Sequence, residues 1–378
     1  MGATRGTRDG RNNVSDLPIS TIVGGAAFVA GLIFGATAQR TNFCTMGALS
    51  DIVFMGDWRR FRAWMLALSV AMVGSQALHH FGMVDLGKSI YLQGPLAWAG
   101  AIVGGLLFGF GMTLAGGCGN KTLVRIGGGN LKSLVTFLVV GLFAYMTLKG
   151  LIGLGRVQLE ALTNVAVAGK AANQGVPALL AALGLPDGLA RWLVVAVVAG
   201  GLLVFCFKDA DFRAAPHDII GGLIIGLMVP AGWWITGVMG ADDFDPTPLS
   251  SFTFVAPIGD SMMYLMTFTG STINFGIAAV GGVIVGSFLS SAAGKSFHLE
   301  AFSDAADMGR HLIGAAMMGT GGVMAMGCTI GQGLTGISTL SATSFFALFA
   351  ILFGGVWGLK YMEEGSVGAA LKAVLSRG

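Results

Sequence analysis

Charge is what this sequence has least of. Its 378 residues include 22 Lys or Arg and 19 Asp or Glu, 11% in all, where a soluble domain carries roughly 25%. A chain so poor in charge cannot cover the surface of the two soluble domains that its length would otherwise allow. The net charge of +3 is small and scattered, so it gives no grounds for a nucleic-acid partner and supports only a weak bias toward anions. Cysteine is also scarce. Cys44, Cys118, Cys206 and Cys328 show no CxxC spacing, which argues against a zinc or redox-pair motif. A Walker loop, an HExxH helix and a nucleophile elbow are all missing, so neither ATP coupling nor hydrolysis is supported and no cofactor is expected. Residues 1–18 are polar, with Arg5, Arg8 and Arg11 beside Asp9 and Asp16. They read as a disordered tail, lacking the apolar core and small-residue cleavage site of a signal peptide.

What the chain does have is apolar length. It is 54% hydrophobic and holds 62 glycines, a composition suited to close helix packing and to helix breaks inside a membrane. Apolar runs at 19–38, 64–83, 97–117, 131–153, 191–207, 217–239, 272–291, 309–327 and 341–360 each approach the roughly 20 residues that cross a bilayer. The fold expected is therefore an all-α integral membrane protein with about nine spans, forming one transport domain over 19–360. A C-terminal tail follows at 361–378. Residues 154–190, with Pro177 and Pro186, are expected on the membrane surface, and 257–271 is too short to assign.

Lys and Arg in short loops predict orientation. Arg40, Arg59, Arg60 and Arg62 mark one loop, Lys121, Arg125 and Lys132 another, then Lys208 with Arg213 and Lys295 with Arg310. These loops are read as cytoplasmic. The acidic loop 241–250 has no Lys or Arg and falls on the other side. The N-terminus is then periplasmic and the C-terminus cytoplasmic, with the three N-terminal arginines opposing this assignment.

Two stretches stand out. Residues 109–129 read Gly-Phe-Gly-Met-Thr-Leu-Ala-Gly-Gly-Cys-Gly-Asn-Lys-Thr-Leu-Val-Arg-Ile-Gly-Gly-Gly, and residues 319–336 read Gly-Thr-Gly-Gly-Val-Met-Ala-Met-Gly-Cys-Thr-Ile-Gly-Gln-Gly-Leu-Thr-Gly. With Cys118 laid on Cys328, Gly109 falls on Gly319, Gly111 on Gly321, Ala115 on Ala325 and Gly117 on Gly327. Five matches at one offset indicate a repeat. The loop assignment puts Cys118 after a span ending inside and Cys328 after one ending outside, so the repeat is expected to be inverted. Its halves, about 19–207 and 217–360, also share Gly31-Leu-Ile-Phe-Gly35 and Gly222-Leu-Ile-Ile-Gly226. Such repeats bind substrate where broken helices meet near the midplane. After each cysteine the sequence is too apolar for a solvated loop and too short to span, which predicts a re-entrant hairpin. Glycines there would let backbone N–H groups approach an anion.

A third cysteine, in Arg40-Thr-Asn-Phe-Cys44-Thr-Met-Gly-Ala-Leu-Ser50, matches the other two in context rather than in letters. Cys206 has neither Gly nor Asn beside it and is expected only to pack. The segments around Cys44, Cys118 and Cys328, with Gly-Gly-Cys-Gly-Asn and Met-Gly-Cys-Thr-Ile-Gly-Gln-Gly, resemble the YeeE/YedE family of bacterial inner-membrane sulfur-compound transporters over about 20–360. The resemblance implies inward transport of a small sulfur anion, thiosulfate above others, along a path lined by the three cysteines. It also implies a small TusA-type sulfur carrier downstream. Besides lipid, these are the partners expected.

A thiol is a weak, polarizable S–H donor suited to a soft terminal sulfur, and weak contacts suit passage. Beside the cysteines, Gly117, Gly119 and Gly327 flank the thiols, and Asn120 and Gln332 are candidates for orienting the hairpins or touching the substrate. Lys121 and Arg40 are candidates for drawing the anion along, although the positive-inside rule accounts for them as well. Two other mechanisms fit the residues. A membrane sulfurtransferase would hold sulfur as a persulfide on Cys118 or Cys328, but no histidine adjoins either in sequence. A soft-metal channel would use Cys with Met324 and Met326, but carboxylates near those segments are few.

Overall fold

The computed structural model describes residues 18–166, 173–242 and 247–376. The polar tail, apart from Pro18, the middle of the 154–190 segment and part of the acidic loop lie outside the described residues. Among the described residues there is no strand, and nine helices are long and apolar enough to cross a membrane. They coincide with the nine apolar runs, and the chain is an all-α integral membrane protein.

Helix α1 (Ile19–Arg40) leads to α2 (Thr45–Ser50), which continues as a wider π turn at Asp51–Met55, and then to α3 (Arg59–His80). The short α4 (Ile90–Gln93) precedes α5 (Trp98–Leu114), α6 (Gly119–Gly127) and α7 (Leu131–Leu148). A connecting group follows: α8 (Leu151–Thr163), α9 (Val176–Ala182), α10 (Asp187–Phe207) and α11 (Ala210–Arg213). Then come α12 (Pro216–Trp234), α13 (Val255–Met266), α14 (Phe275–Ala293) and α15 (Ala305–Met324). A π segment at Thr329–Gly336, α16 (Ala342–Glu364) and α17 (Val367–Leu375) complete the described chain.

The packing partners repeat. Helix α1 packs on α14 and α12 on α3, while α5 packs on α16 and α15 on α7. Helix α6 touches α14 and α7, as the π segment at 329–336 touches α3 and α16, and α2 meets α16 as α13 meets α7. Exchanging α1, α2, α3, α5, α6 and α7 for α12, α13, α14, α15, the π segment and α16 maps every one of these contacts onto another. Helices α5 and α15, which exchange with each other, cross antiparallel: Gly104 meets Gly321 and Gly111 meets Gly314. Equivalent elements running in opposite directions make the repeat inverted. Helices α8 to α11 lie between the repeated sets and α17 after them.

The glycines shared by the two motifs serve this crossing. A Cβ on Gly321 would stand 2.6 Å from the Gly104 carbonyl oxygen, and one on Gly111 would stand 2.6 Å from that of Gly314. Without side chains the backbones approach closely enough for dispersion to hold them, the main attraction available where lipid removes the hydrophobic difference. Gly109 and Gly319 match in the same way, since Gly109 faces α16 and Gly319 faces α7. These glycines therefore shape helix contacts.

Helix α13 accounts for the unassigned segment 257–271. At 1.5 Å per residue its 12 residues reach only about 18 Å, too short to span. The chain enters it through buried Phe252 and Phe254, and a Cβ on Gly119 would touch the Phe254 Cβ at 3.7 Å. Helix α13 thus begins against the start of α6. The segment around residue 174 packs inward as well: Gln174 is fully buried and donates to the Tyr91 carbonyl at 2.8 Å, while the Thr343 hydroxyl donates to its side-chain oxygen.

Candidate functional site

Three cysteines sit at the same kind of chain break. In each case the residue two before the cysteine is left-handed, with φ of 50° at Asn42, 68° at Gly116 and 57° at Met326. That residue stops the preceding helix, and the cysteine becomes the N-cap of the next helical segment. Glycine and asparagine adopt this conformation readily, whereas for methionine it costs about 1 kcal/mol. The shared backbone explains why the Cys44 segment resembles the other two without sharing their letters. The Cys44 sulfur accepts from the Gly47 N–H at 3.5 Å, and that of Cys328 from the Gly331 N–H at 3.4 Å.

These breaks meet. Cys44 and Cys118 stand thiol to thiol, Sγ to Sγ 3.8 Å, with Cys44 5% exposed and Cys118 fully buried. Asn120 ties them: the Cys118 thiol donates to Asn120 Oδ1 at 2.6 Å, and Asn120 Nδ2 donates to the Phe43 carbonyl at 3.3 Å. Cys328, also fully buried, is the next position inward, its Cβ 3.9 Å from where a Cβ on Gly119 would stand. The Thr329 hydroxyl lies beside the Cys118 thiol. Cys328 thus adjoins the pair through Gly119 and Thr329. Cys206 lies apart, donating to the Arg62 carbonyl at 3.2 Å.

The first of the thiols forms part of the wall of a polar cavity of about 840 Å³, lined also by Arg40, Asn42, Arg60, Lys121 and Arg125. Arg40 is exposed and has no hydrogen-bonding partner among the described residues. Lys121 Nζ donates to Asn42 Oδ1 at 2.9 Å, and Arg125 to the Gly116 carbonyl at 2.7 Å. Four carboxylates, of Asp51, Asp57, Asp218 and Glu300, also face the cavity. Two of them belong to arginines: Asp51 to Arg60 at 2.8 Å and Asp57 to Arg59 at 2.7 Å. The Arg59 guanidinium holds the Asp57 carboxyl below its ordinary range. Burial raises Glu300, but Lys132 at 3.3 Å and Asn130 outweigh it, leaving that carboxyl also below its ordinary range. Among the described residues Arg40, Lys121 and Arg125 have no carboxylate within ion-pair distance, so the cavity is biased toward anions.

The other candidates have structural tasks. Gln332, fully buried, donates to the Ala325 carbonyl and closes the turn before Cys328. A Cβ on Gly327 would crowd the Gln332 nitrogen at 3.1 Å, and one on Gly117 would meet the flexible Lys121 stem at 3.3 Å and Arg125 Nη1 at 3.7 Å. At Gly119 a Cβ would make ordinary contacts. Sequence reading passed over Asp51 and Arg60 as partners. Gln76 is buried, reaches the Ser338 carbonyl at 2.7 Å and lines a small pocket at the other end of α3. None of these carries a motif. Among the described residues, no group of three His, Cys, Asp or Glu side chains is arranged to hold a metal ion.

Comparison with known proteins places the chain in a family. The pattern of the family described as sulphur transport matches residues 40–357. A thiosulfate transporter, TsuA, of Escherichia coli K12 is 26% identical over 346 residues, covering 88% of this chain and 92% of that protein. A second thiosulfate transporter TsuA, from Spirochaeta thermophila, is 26% identical over 337 residues, 86% of this chain and 95% of its own. A probable transporter, YedE, of E. coli K12 is 34% identical, over 103 residues that make up 27% of this chain and 23% of that protein.

Proposed function

The chain belongs to the sulphur-transport family, and from that premise we propose that it takes up thiosulfate across the bacterial inner membrane along a path lined by Cys44, Cys118 and Cys328. The observation that carries this reading is the 3.8 Å contact between the Cys44 and Cys118 thiols at the wall of a basic cavity. Cys44, Cys118, Cys328 and Phe254 are the N-caps of four helical segments, and helix N-termini favour negative charge. Thiols add weak S–H donors along the path. Nothing in this arrangement binds strongly, which suits release.

The cavity side is taken as cytoplasmic, in keeping with the Lys and Arg that gather there, so the N-terminus is periplasmic and the C-terminus cytoplasmic. Lys121, Arg125 and Arg40 would draw the anion toward that cavity, where a TusA-like carrier would receive its sulfur. Exposed Leu142, Val197 and Phe349 suit contact with lipid.

Counterflow in liposomes containing the purified protein, with a panel of sulfur and selenium anions, tests the reading. Labelled thiosulfate should accumulate against unlabelled thiosulfate inside and be competed weakly by sulfate. Equal exchange of every anion offered, or none of thiosulfate, would contradict it.

A further inference from the structure

The dipeptide Cys-Thr occurs twice at the site, at Cys44-Thr45 and Cys328-Thr329. Both threonines are first residues of a helical segment, 1% and 0% exposed, and neither hydroxyl has an oxygen or nitrogen partner within hydrogen-bonding geometry. That of Thr329 has only the Cys118 sulfur, a weak partner, beside it. Threonine in a helix usually settles its hydroxyl on a carbonyl one turn back. Thr122, Thr136, Thr147 and Thr236 do so in this protein. A first-turn threonine has no such carbonyl within its own helix, and a buried polar group without a partner costs about 1–3 kcal/mol. A hydroxyl kept buried at that cost suits a group that hydrogen-bonds it during passage. Thr329 stands where such a ligand would pass, beside the Cys118 thiol and directly after Cys328.

We propose that the Thr329 hydroxyl, with Thr45 in a similar position after Cys44, is a specificity-determining donor that takes an oxygen of the anion while the thiols meet its terminal sulfur. The inference rests on the transport reading above and deepens it. An anion with one soft sulfur and hard oxygens needs two kinds of donor, and a path of thiols alone supplies one. The hydroxyl supplies the other. It would separate an oxygen-bearing sulfur anion from one without oxygens, because only the former repays the desolvated hydroxyl.

Thr329→Val keeps the side chain's shape and removes the hydroxyl, while Thr329→Ser keeps the hydroxyl. Each is compared with the wild-type chain in liposome uptake of labelled thiosulfate and in thermal unfolding with and without thiosulfate. For Thr329→Val, KM should rise about ten- to a hundredfold, the range for one hydrogen bond to a charged group. Its ligand-induced Tm shift should shrink, while the ligand-free Tm stays at or above the wild-type value because an unpartnered buried hydroxyl is gone. Thr329→Ser should restore both KM and the shift. An unchanged KM and shift in Thr329→Val would overturn the proposal, as would a ligand-free Tm well below wild type, which would make the hydroxyl structural. If the wild-type chain itself neither transports nor is stabilised by thiosulfate, the transport reading fails first and takes this inference with it.

Discussion

Replacing Cys118 with alanine is expected to lower thiosulfate uptake about a hundredfold, equivalent to roughly 2.7 kcal/mol on the transport barrier, with the protein still present in the membrane. Two losses combine. The path loses the thiol that touches Cys44 at 3.8 Å, and buried Asn120 loses the S–H that its side-chain oxygen accepts at 2.6 Å. The second loss alone leaves an unpaired buried acceptor, at about 1–3 kcal/mol. Cys118→Ser separates them: a hydroxyl can still serve Asn120 but does not offer the soft sulfur, so its uptake should fall between alanine and wild type. Cys206→Ala should transport normally, since that thiol only bonds the Arg62 carbonyl. Growth of a strain dependent on thiosulfate as its sulfur source reads these three variants and Cys328→Ala. If Cys118→Ala and Cys328→Ala both grow like wild type, the cysteine path is wrong.

Gly321→Val should have the largest effect on folding. The new Cβ would sit 2.6 Å from the Gly104 carbonyl oxygen across the antiparallel crossing, and backbone cannot yield as a side-chain tip can. Overpacking of this kind costs about 3 kcal/mol, on a crossing that joins the two halves of the molecule. Little protein should reach the membrane. Gly309→Val in the same helix, where a Cβ would meet nothing within 4 Å, serves as the control. Immunoblots of membranes and thermal unfolding in detergent measure both. Equal abundance and equal Tm for the two variants would show that the crossing is looser than described.

Much of this was legible in the sequence because composition and spacing carry it. Low charge and apolar length revealed the nine spans, and five matches at one offset revealed the repeat. Gly109, Gly111, Gly319 and Gly321 mark the repeat in the sequence, but letters do not show that they pack helices rather than approach a ligand, since both uses require the same missing Cβ. The likeness of Cys44 to Cys118 and Cys328 lay in backbone geometry, a left-handed residue two positions earlier. Asn42 and Gly116 hint at it and Met326 gives no hint at all. The pairing of Arg60 with Asp51, and the placing of Thr329 beside Cys118, join elements that sequence alone does not bring together.

The central claim is that the anion passes the Cys44 and Cys118 thiols without staying bonded to sulfur, and thiol labelling tests it most directly. Membranes holding the wild-type chain are treated with a maleimide, with and without thiosulfate, and modification of each cysteine is read by mass spectrometry. The account predicts that thiosulfate slows labelling of Cys44, the thiol at the cavity wall, leaves Cys206 unchanged, and adds no mass to any cysteine. Labelling of Cys44 that ignores thiosulfate, or a lasting gain of one sulfur on Cys44 or Cys118, would contradict it.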